Sequence, residues 1–420
     1  MLAKRFGCVV FTFLLFLLPY RAAAQAGRLD STFGSGGIVT TDFGVQTGSA
    51  NMATANAAVI QSDGKIVVAG AIPASNGFPV AALLRYNPNG SLDSSFGTGG
   101  IVSTPSIEDA AFTSVALQSD GKIVAVAGGF SANIARYTST GALDTTFGTN
   151  GIVMLNFING PMASGVAIQP DGKILIADKD LFRLLSNGQP DTSFGSGGVE
   201  NNAGAPATAL VLLPNAEIVT ASSSGTSGGL AQYQSSGMLD ATFGVTGQAG
   251  TLGSTVAVAL PGSGDILVGG ALTNNTVIVP GGAGTSSFLI SRYLPAGITD
   301  GSFGTNGGTA TSVPNYTAVN TSGLALEPNE DIVLVGTAMQ STTMAFALAR
   351  YTPSGQPDTT FGNHGTVVTT FGGGFSAPEV HANGLAIQSD GKIVVVGNYL
   401  ISVPRRGFDT EIKVLRYLGS

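Results

Sequence analysis

One six-residue pattern, LDxxFG or a near relative, returns along the whole chain, and a chain that repeats itself in this way folds as a set of like units. Its phenylalanine stands at Phe33, Phe96, Phe147, Phe194, Phe243, Phe303 and Phe361, at intervals of 63, 51, 47, 49, 60 and 58 residues. Self-similarity at such a period marks supersecondary units that bury their apolar faces only against one another. Seven markers therefore predict seven units.

Between markers a hairpin recurs with its own turn chemistry. Asp63-Gly64, Asp120-Gly121, Asp171-Gly172 and Asp390-Gly391 each lie between apolar strands. Asp-Gly suits the positive φ angles of a two-residue hairpin turn. The corresponding turns at Asn215, Ser263-Gly264 and Asn329 have drifted from this form. A third strand follows, ending at Tyr86, Tyr137, Leu184, Tyr233, Tyr293, Tyr351 and Tyr417. Then come a turn of the PNG or PSG kind, the LDxxFG corner, and a short strand such as Ile38-Val39, Ile101-Val102, Ile152-Val153 or Val367-Val368. The 61 glycines and the 10% share of charged residues suit short strands and tight turns. With 43% hydrophobic residues set in alternation, low charge does not mean disorder.

Four short strands per unit without helical periodicity leave two architectures, a closed β-propeller or an open β-solenoid. One column of small residues favours the propeller: Ala57, Ser114, Gly165, Ala209, Ala257, Gly323 and Gly384. Innermost strands converge on an axis and leave room there only for small side chains. The expected fold is all-β, a seven-bladed β-propeller of four-stranded antiparallel blades. The chain opens with a corner and the short strand Gly37 to Thr41, and it stops just after the third strand at Arg416-Tyr417. That order lets the N-terminal strand complete the last blade and close the ring, satisfying an edge otherwise left bare.

The unit LDxxFGxxGxV, followed by xIQxDGKIxVxG and xxRYxxxGxLD, resembles the bacterial delta-60 repeat of exported propeller proteins, whose function is not established. The hairpin is similar, more loosely, to NHL propeller repeats. This likeness spans nearly all of the chain beyond its leader and implies a ring of blades and export. The unit with Gln232-Tyr233 in place of Arg-Tyr, and without an Asp-Gly turn, departs furthest from the pattern.

Residues 1–26 read as a separate block. Lys4 and Arg5 precede an apolar run from Cys8 to Tyr20, and RAAAQAG offers small residues for cleavage after Ala24 or Ala26. This is the layout of a secretory signal peptide, and the run is shorter than the ~20 residues a membrane-spanning helix needs. Residues 27–420 are then one exported propeller, periplasmic or secreted and expected to be a monomer. Removing Lys4, Arg5 and Arg21 takes the formal charge from -7 to -10, and the sole cysteine leaves with the leader. The remaining protein has no disulfide, so packing must hold it. Its acidic balance argues against nucleic acid and anionic membrane surfaces as partners.

Residues found in nearly every unit are read as structural. The repeated Asp (Asp30, Asp93, Asp144, Asp191, Asp240, Asp300, Asp358) should form the corner by accepting backbone N–H bonds. The repeated Arg (Arg85, Arg136, Arg183, Arg292, Arg350, Arg416) should bridge to it or to a neighbouring carbonyl. Each marker Phe should pack between blades. Calcium needs six to eight oxygen ligands, and Lys65, Lys122, Lys173 or Lys392 beside the turn Asp disfavours it there; no cofactor is expected, with calcium left open on the axis or in a loop.

Function is better sought where units differ. Asn56, Thr113, Ser164, Thr208, Ser322 and Asn383 form a polar column expected at the mouth of a central channel, open to a small polar ligand or a protein. Glu379 and His381, read as preceding the first strand of the last blade, join that candidate site as a carboxylate and an imidazole fit for ligand binding or acid–base work. Asp178-Lys179-Asp180 reads as a solvated loop. No catalytic residue is assigned, because no GxSxG elbow opening a helix is present and HExxH, Walker and zinc-type motifs are missing. A non-catalytic binding or interaction module is therefore expected. The competing reading is a propeller hydrolase or lyase of gluconolactonase type, with a metal held on the axis.

Overall fold

A computed structural model describes residues 25–46, 52–108, 110–128, 132–155, 164–200, 206–224, 226–274, 285–372, 378–404 and 406–419. The leader expected at 1–26 lies outside them except for Gln25 and Ala26. Seven antiparallel four-stranded sheets account for all 28 strands among the described residues. Blade 1 holds β2 (Thr54–Ile60), β3 (Ile66–Ile72), β4 (Val80–Tyr86) and β5 (Ile101–Glu108); blade 2 holds β6 (Ala111–Leu117), β7 (Ile123–Gly128), β8 (Ala132–Tyr137) and β9 (Ile152–Leu155). Blade 3 holds β10 (Gly165–Ile168), β11 (Ile174–Ala177), β12 (Leu181–Leu184) and β13 (Val199–Glu200); blade 4 holds β14 (Ala207–Leu212), β15 (Ile218–Ser224), β16 (Ser227–Tyr233) and β17 (Gln248–Gly250). Blade 5 is β18 (Ser254–Ala259), β19 (Ile266–Asn274), β20 (Thr285–Tyr293) and β21 (Gly308–Thr311); blade 6 is β22 (Ala318–Leu326), β23 (Ile332–Gln340), β24 (Thr343–Tyr351) and β25 (Thr366–Thr369).

Blade 7 is discontinuous in sequence. It joins β26 (Glu379–Ile387), β27 (Ile393–Val403) and β28 (Gly407–Tyr417) to β1 (Ile38–Gln46), in the order β1-β28-β27-β26. Ile38 faces Leu415 and Asp42 faces Glu411 across that seam. The first strand of each blade packs beside the first strands of its two neighbours, β2 against both β6 and β26, so the ring is closed.

Apolar alternation explains the layers. In blade 1, Val67, Ala69, Ala81 and Leu83 face blade 2 and meet Phe112, Ile123 and Ala125, while Val68 and Leu84 face Val394, Val396, Ile412 and Val414 of blade 7. Second and third strands are thus apolar on both faces, as strands buried between two sheets must be. Every marker Phe is at most 1% exposed and lies between two blades, as expected: Phe96 between blades 1 and 2, Phe361 between 6 and 7, Phe33 between 7 and 1. Burying each such ring contributes roughly 1.5–3 kcal/mol.

The hairpin loops differ from the two-residue turn expected from Asp-Gly. Gln61 N–H donates to Lys65 O and Gly64 N–H to Gln61 O, enclosing three residues, of which only Gly64 has positive φ, at 81°. Asp63 instead accepts the Lys65 N–H through its side chain at 3.1 Å. This is a type I turn closed by a left-handed residue, and Gly at that last place avoids Cβ strain. Ala216 and Glu330 hold the same place at φ 66° and 67°.

Corners follow one plan. Asp93 Oδ1 accepts the Ser95 N–H and hydroxyl at 3.1 and 2.7 Å, while Oδ2 accepts Arg85 Nε at 2.8 Å. The guanidinium lies over the Phe96 ring at 4.4 Å and donates to Ser139 O of blade 2. The same stacking recurs in six corners at 4.4–4.7 Å. Both bridges expected of the Arg are therefore present. The Ser95 bonds, opposed by burial and helped by Arg85 and Lys65, hold the Asp93 carboxyl down at about 2. At Asp191 burial pushes upward but is outweighed by Ser193 and Arg183, again giving about 2.

In blade 7 this corner is assembled from both ends of the chain. Arg416 Nε donates to Asp30 Oδ2 at 2.9 Å, its guanidinium stacks on Phe33, and Nη1 donates to Pro88 O of blade 1 at 2.5 Å. Each junction also carries a backbone link from the marker Gly to the turn of the next blade, such as Gly34 N–H to Asn89 O at 2.8 Å. A Cβ on Gly90 would sit 2.9 Å from Gly34 N, so that turn needs glycine. For the last junction Ala26 and Gly27 supply the turn, with Gly362 N–H donating to Ala26 O at 3.0 Å.

Candidate functional site

All seven first strands run toward their hairpin turns, so their starts gather on the opposite face, around the mouth of the channel. The polar column falls within these strands, and pairing registers show what it does. In blades 1, 2, 4, 5, 6 and 7 the register slips at Asn56, Thr113, Thr208, Val256, Ser322 and Asn383, each time by one unpaired residue. These are β-bulges, and a bulge turns the extra side chain away from the ordinary alternation.

The freed side chains reach the next blade. Asn56 Nδ2 donates to Phe112 O at 2.9 Å, Thr208 Oγ1 to Thr255 O at 3.0 Å, Ser322 Oγ to Ala382 O at 2.5 Å and Asn383 Nδ2 to Ala55 O at 2.9 Å. Ser164 Oγ donates likewise to Ala207 O. Thr113 bonds Val126 O of its own blade at 3.1 Å, and the neighbouring Ser114 hydroxyl accepts the Val166 N–H at 3.2 Å. Where Val256 has no polar atom, Thr321 Oγ1 bonds Gly270 O of the neighbouring blade at 2.6 Å. Asn56, Ser164, Thr208, Ser322 and Asn383 of the column, with Ser114 and Thr321 beside it, thus form an inner ring of inter-blade bonds. An outer ring matches it, with Tyr86 on Thr41 and Tyr417 on Thr369, both at 2.7 Å.

Glu379 and His381 belong to the first strand of blade 7, β26, rather than preceding it. They alternate with Val380 and Ala382, which face blade 6, and so share the side from which Asn383 reaches blade 1. His381 Nε2 lies 3.0 Å from Glu379 Oε1, with side chains 36% and 56% exposed. Asn398, on β27, enters the same group and was not anticipated: its Oδ1 accepts from Asn383 Nδ2 at 2.7 Å. This corner of the mouth thus offers a solvent-accessible carboxylate and imidazole beside an amide pair. Such a set can accept and donate hydrogen bonds to a polar ligand.

Asp178 corrects the reading of a solvated loop. It is 2% exposed, with its backbone carbonyl accepting the Ala207 N–H of blade 4 at 3.0 Å and Oδ1 accepting the Lys179 N–H at 2.6 Å. Burial, with Asp180 nearby, pushes its carboxyl upward. Other second strands place Gly70, Gly270, Gly336 or Gly397 here, which leaves no room for a side chain; blade 3 instead ends β11 early at Ala177.

Among the described residues, one three-carboxylate group has the spacing to hold a metal: Asp42, Asp409 and Glu411, on the outer strands β1 and β28. Lys413 already pairs with Glu411 and bonds Thr40 Oγ1 at 2.9 Å, while its Nζ lies 4.6 Å over the Tyr399 ring. Three carboxylates with one internal cation fall short of the oxygen-rich cage calcium needs. The set is also remote from the axis, which the first strands line. No helix among the described residues is long and apolar enough to cross a membrane.

Comparison with known proteins agrees with the architecture. The family described as "Domain of unknown function (DUF5122) beta-propeller" matches residues 61–96, 118–147, 169–194, 328–361 and 388–408, five runs that each begin at a first-strand turn. No curated protein matches the chain. Among solved structures, a catalytically inactive virginiamycin B lyase from Staphylococcus aureus with quinupristin is similar, with 12% identity, coverage of 90% of this chain and 99% of that one, and a TM-score of 0.47. A protein of unknown function from Dyadobacter fermentans has 12% identity, covers 91% and 99%, and has a TM-score of 0.41. Polysaccharide lyase Uly1 has 9% identity, covers 86% and 89%, and has a TM-score of 0.44. Their roles are mixed, and the likeness is one of architecture.

Proposed function

We infer that this β-propeller repeat protein, built from units of the delta-60 kind, is an exported, non-catalytic binding module. It presents the mouth of its channel, and above all the Glu379–His381 corner, to a small polar ligand or a protein partner. One observation carries the reading: polar groups shared by the blades are consumed in holding the ring, whereas Glu379 and His381 are particular to one blade and remain open to solvent. The alternative of an axial-metal hydrolase or lyase finds no support in the column, which carries hydroxyls and amides but no carboxylate.

A thermal-shift and calorimetric screen of sugars, lactones and divalent ions tests this on the wild type and on Glu379→Gln/His381→Ala. Binding that the double variant loses, without turnover, supports the module. Turnover of a lactone, or a tightly held divalent ion on the axis, sinks it. Export is tested by N-terminal sequencing of protein from the cell envelope or medium. Cleavage after Ala24 is expected, because Ala26 accepts the last inter-blade backbone bond and Gln25 Nε2 donates to Gly362 O at 3.3 Å.

A further inference from the structure

Blades 4 and 5 depart from the repeat at several places, and these departures meet around one cleft of about 560 Å3. Two other grooves, of about 590 and 640 Å3, lie on the turn face between blades 1 and 2 and between blades 2 and 3. Those are walled by Asp63, Lys65 and Arg85 or by Asp120, Lys122 and Arg136, the standard parts of the unit. The blade 4 cleft has no charged residue on its walls.

Its floor differs from the repeat in polarity and, at Gly229, in bulk. Thr220 stands where other second strands place Val68, Ala125, Ile176, Val268, Leu334 or Val395, and Gly229 stands opposite Ser222 where the third strand of blade 5 has Leu289. Gly250 ends the three-residue outer strand, and a Cβ there would meet nothing within 4 Å. The Thr220 hydroxyl and the Gln248 amide replace apolar groups, and Ser222, whose hydroxyl donates to Gly229 O at 3.4 Å, stands where four other blades have glycine.

Its rim changed in the opposite sense. Val245 is 79% exposed at the corner position that elsewhere carries Ser35, Thr98, Thr149, Ser196, Thr305 or Asn363. Across from it, Ile298 in the blade 5 turn is 61% exposed, and Gly244 N–H bonds Ala296 O of the same turn at 2.8 Å, which sets the two rims side by side. At this same corner Gln232 replaces the repeated Arg, so no guanidinium covers Phe243. Exposed aliphatic side chains on a rim, with hydroxyl and amide groups inside, are costly to leave bare and suit an occupant.

We propose that the cleft along the outer half of blade 4 is a binding site for a small, uncharged, polyhydroxylated ligand, a neutral saccharide. Hydroxyl and amide walls match the ligand's hydroxyls, and Val245 and Ile298 take its C–H faces. An uncharged wall gives no partner to a phosphate, a uronate or an amino acid, whose desolvation would go uncompensated. The volume lies in the range that ordinary small-ligand sites occupy. This site is separate from the channel mouth.

Saturation-transfer NMR and calorimetry on the full-length protein test it, with cellotriose, maltotriose, xylotriose and chitotriose as probes and trigalacturonate as the anionic control. Saturable binding of at least one neutral trisaccharide is expected, with none of trigalacturonate. Gly250→Leu, at a wall position where an added Cβ meets nothing within 4 Å, weakens that binding about tenfold or more. The surface change Ile298→Ser weakens it several-fold, and the surface change Met154→Ser in blade 2 leaves it unchanged. Failure of all four neutral probes to bind folded protein overturns the proposal. So does binding indifferent to Gly250→Leu, binding lost only in the channel-mouth variant, or occupation of the cleft by a peptide segment instead.

Discussion

Two corners of the ring, one at Arg416 and one at Gln232, are built on the same backbone plan and held in different ways. At the first, Arg416 joins Asp30, Phe33 and Pro88 O, drawing together residues from both ends of the chain, with Arg416 and Asp30 only 5% and 4% exposed. At the second, Gln232 turns away to Glu217 at 2.8 Å, and Asp240 keeps only its Thr242 bonds. Yet Phe243 is as buried as Phe33, and the Gly244 backbone link is intact. The aromatic wedge and the backbone bond define the corner. The guanidinium adds strength where the junction must not open.

The widest gap between these corners should appear on removing their central side chains. Arg416→Ala strands the Asp30 carboxylate in a buried place and should cost about 3 kcal/mol or more in denaturant unfolding. Gln232→Ala should cost less than about 1 kcal/mol. Equal losses would show that the clamp carries no special weight.

Acid should divide clamped from unclamped corners next. Asp93 and Asp191 sit at about 2 in the folded protein, against about 3.9 in an unfolded chain. Their folded values are lowered, so the stability they contribute is complete above about pH 4 and drains away as pH falls toward 2. Asp178 has the opposite sign: its raised value makes its burial least costly when it is protonated. Unfolding midpoints measured between pH 5 and pH 2 should fall in the wild type and fall less steeply in Asp93→Asn.

Restoring the missing clamp sharpens the comparison. Blade 5 shows that an Arg tolerates an acid at the Glu217 position, since Arg292 holds Asp300 at 2.7 Å with Asp265 at 3.7 Å. Gln232→Arg should therefore raise stability by about 1 kcal/mol, read as a shift in denaturant midpoint. The smallest effect is expected at Ala216→Gly, where relief of left-handed strain slightly exceeds the entropy glycine adds to the unfolded chain. A gain of a few tenths of a kcal/mol is expected, and a loss would mean the turn is unstrained.

Much of this architecture was legible in the sequence because each unit repeats the same evidence of strand, turn and corner. Ring closure, the Phe wedges and the Asp–Arg pairing all follow from residues that recur. What escaped depends on pairing that no single unit displays. Asn56 and Asn383 read as lining for a channel because a one-residue bulge becomes visible only when the first strand is set against the second. Asp178 read as solvated because its burial comes from blade 4, and Asp42 meets Asp409 and Glu411 only once the two ends are joined. The Glu379–His381 pair stands out in the sequence by being singular, although its place inside β26 does not. The cleft of blade 4 left a fainter trace: Val245 breaks a column that is polar elsewhere, and Gln232 one that is otherwise basic.

The turn formed by Ala26 and Gly27 has a bearing on how the protein is made. It stands more than 330 residues before the Leu418 and Gly362 groups it bonds, so β1 cannot find its partner until β28 has been synthesised. Until then the nascent molecule carries an unfinished last sheet and an unpaired first strand. Ring closure must wait for β28, and assembly is paced by that late, long-range encounter.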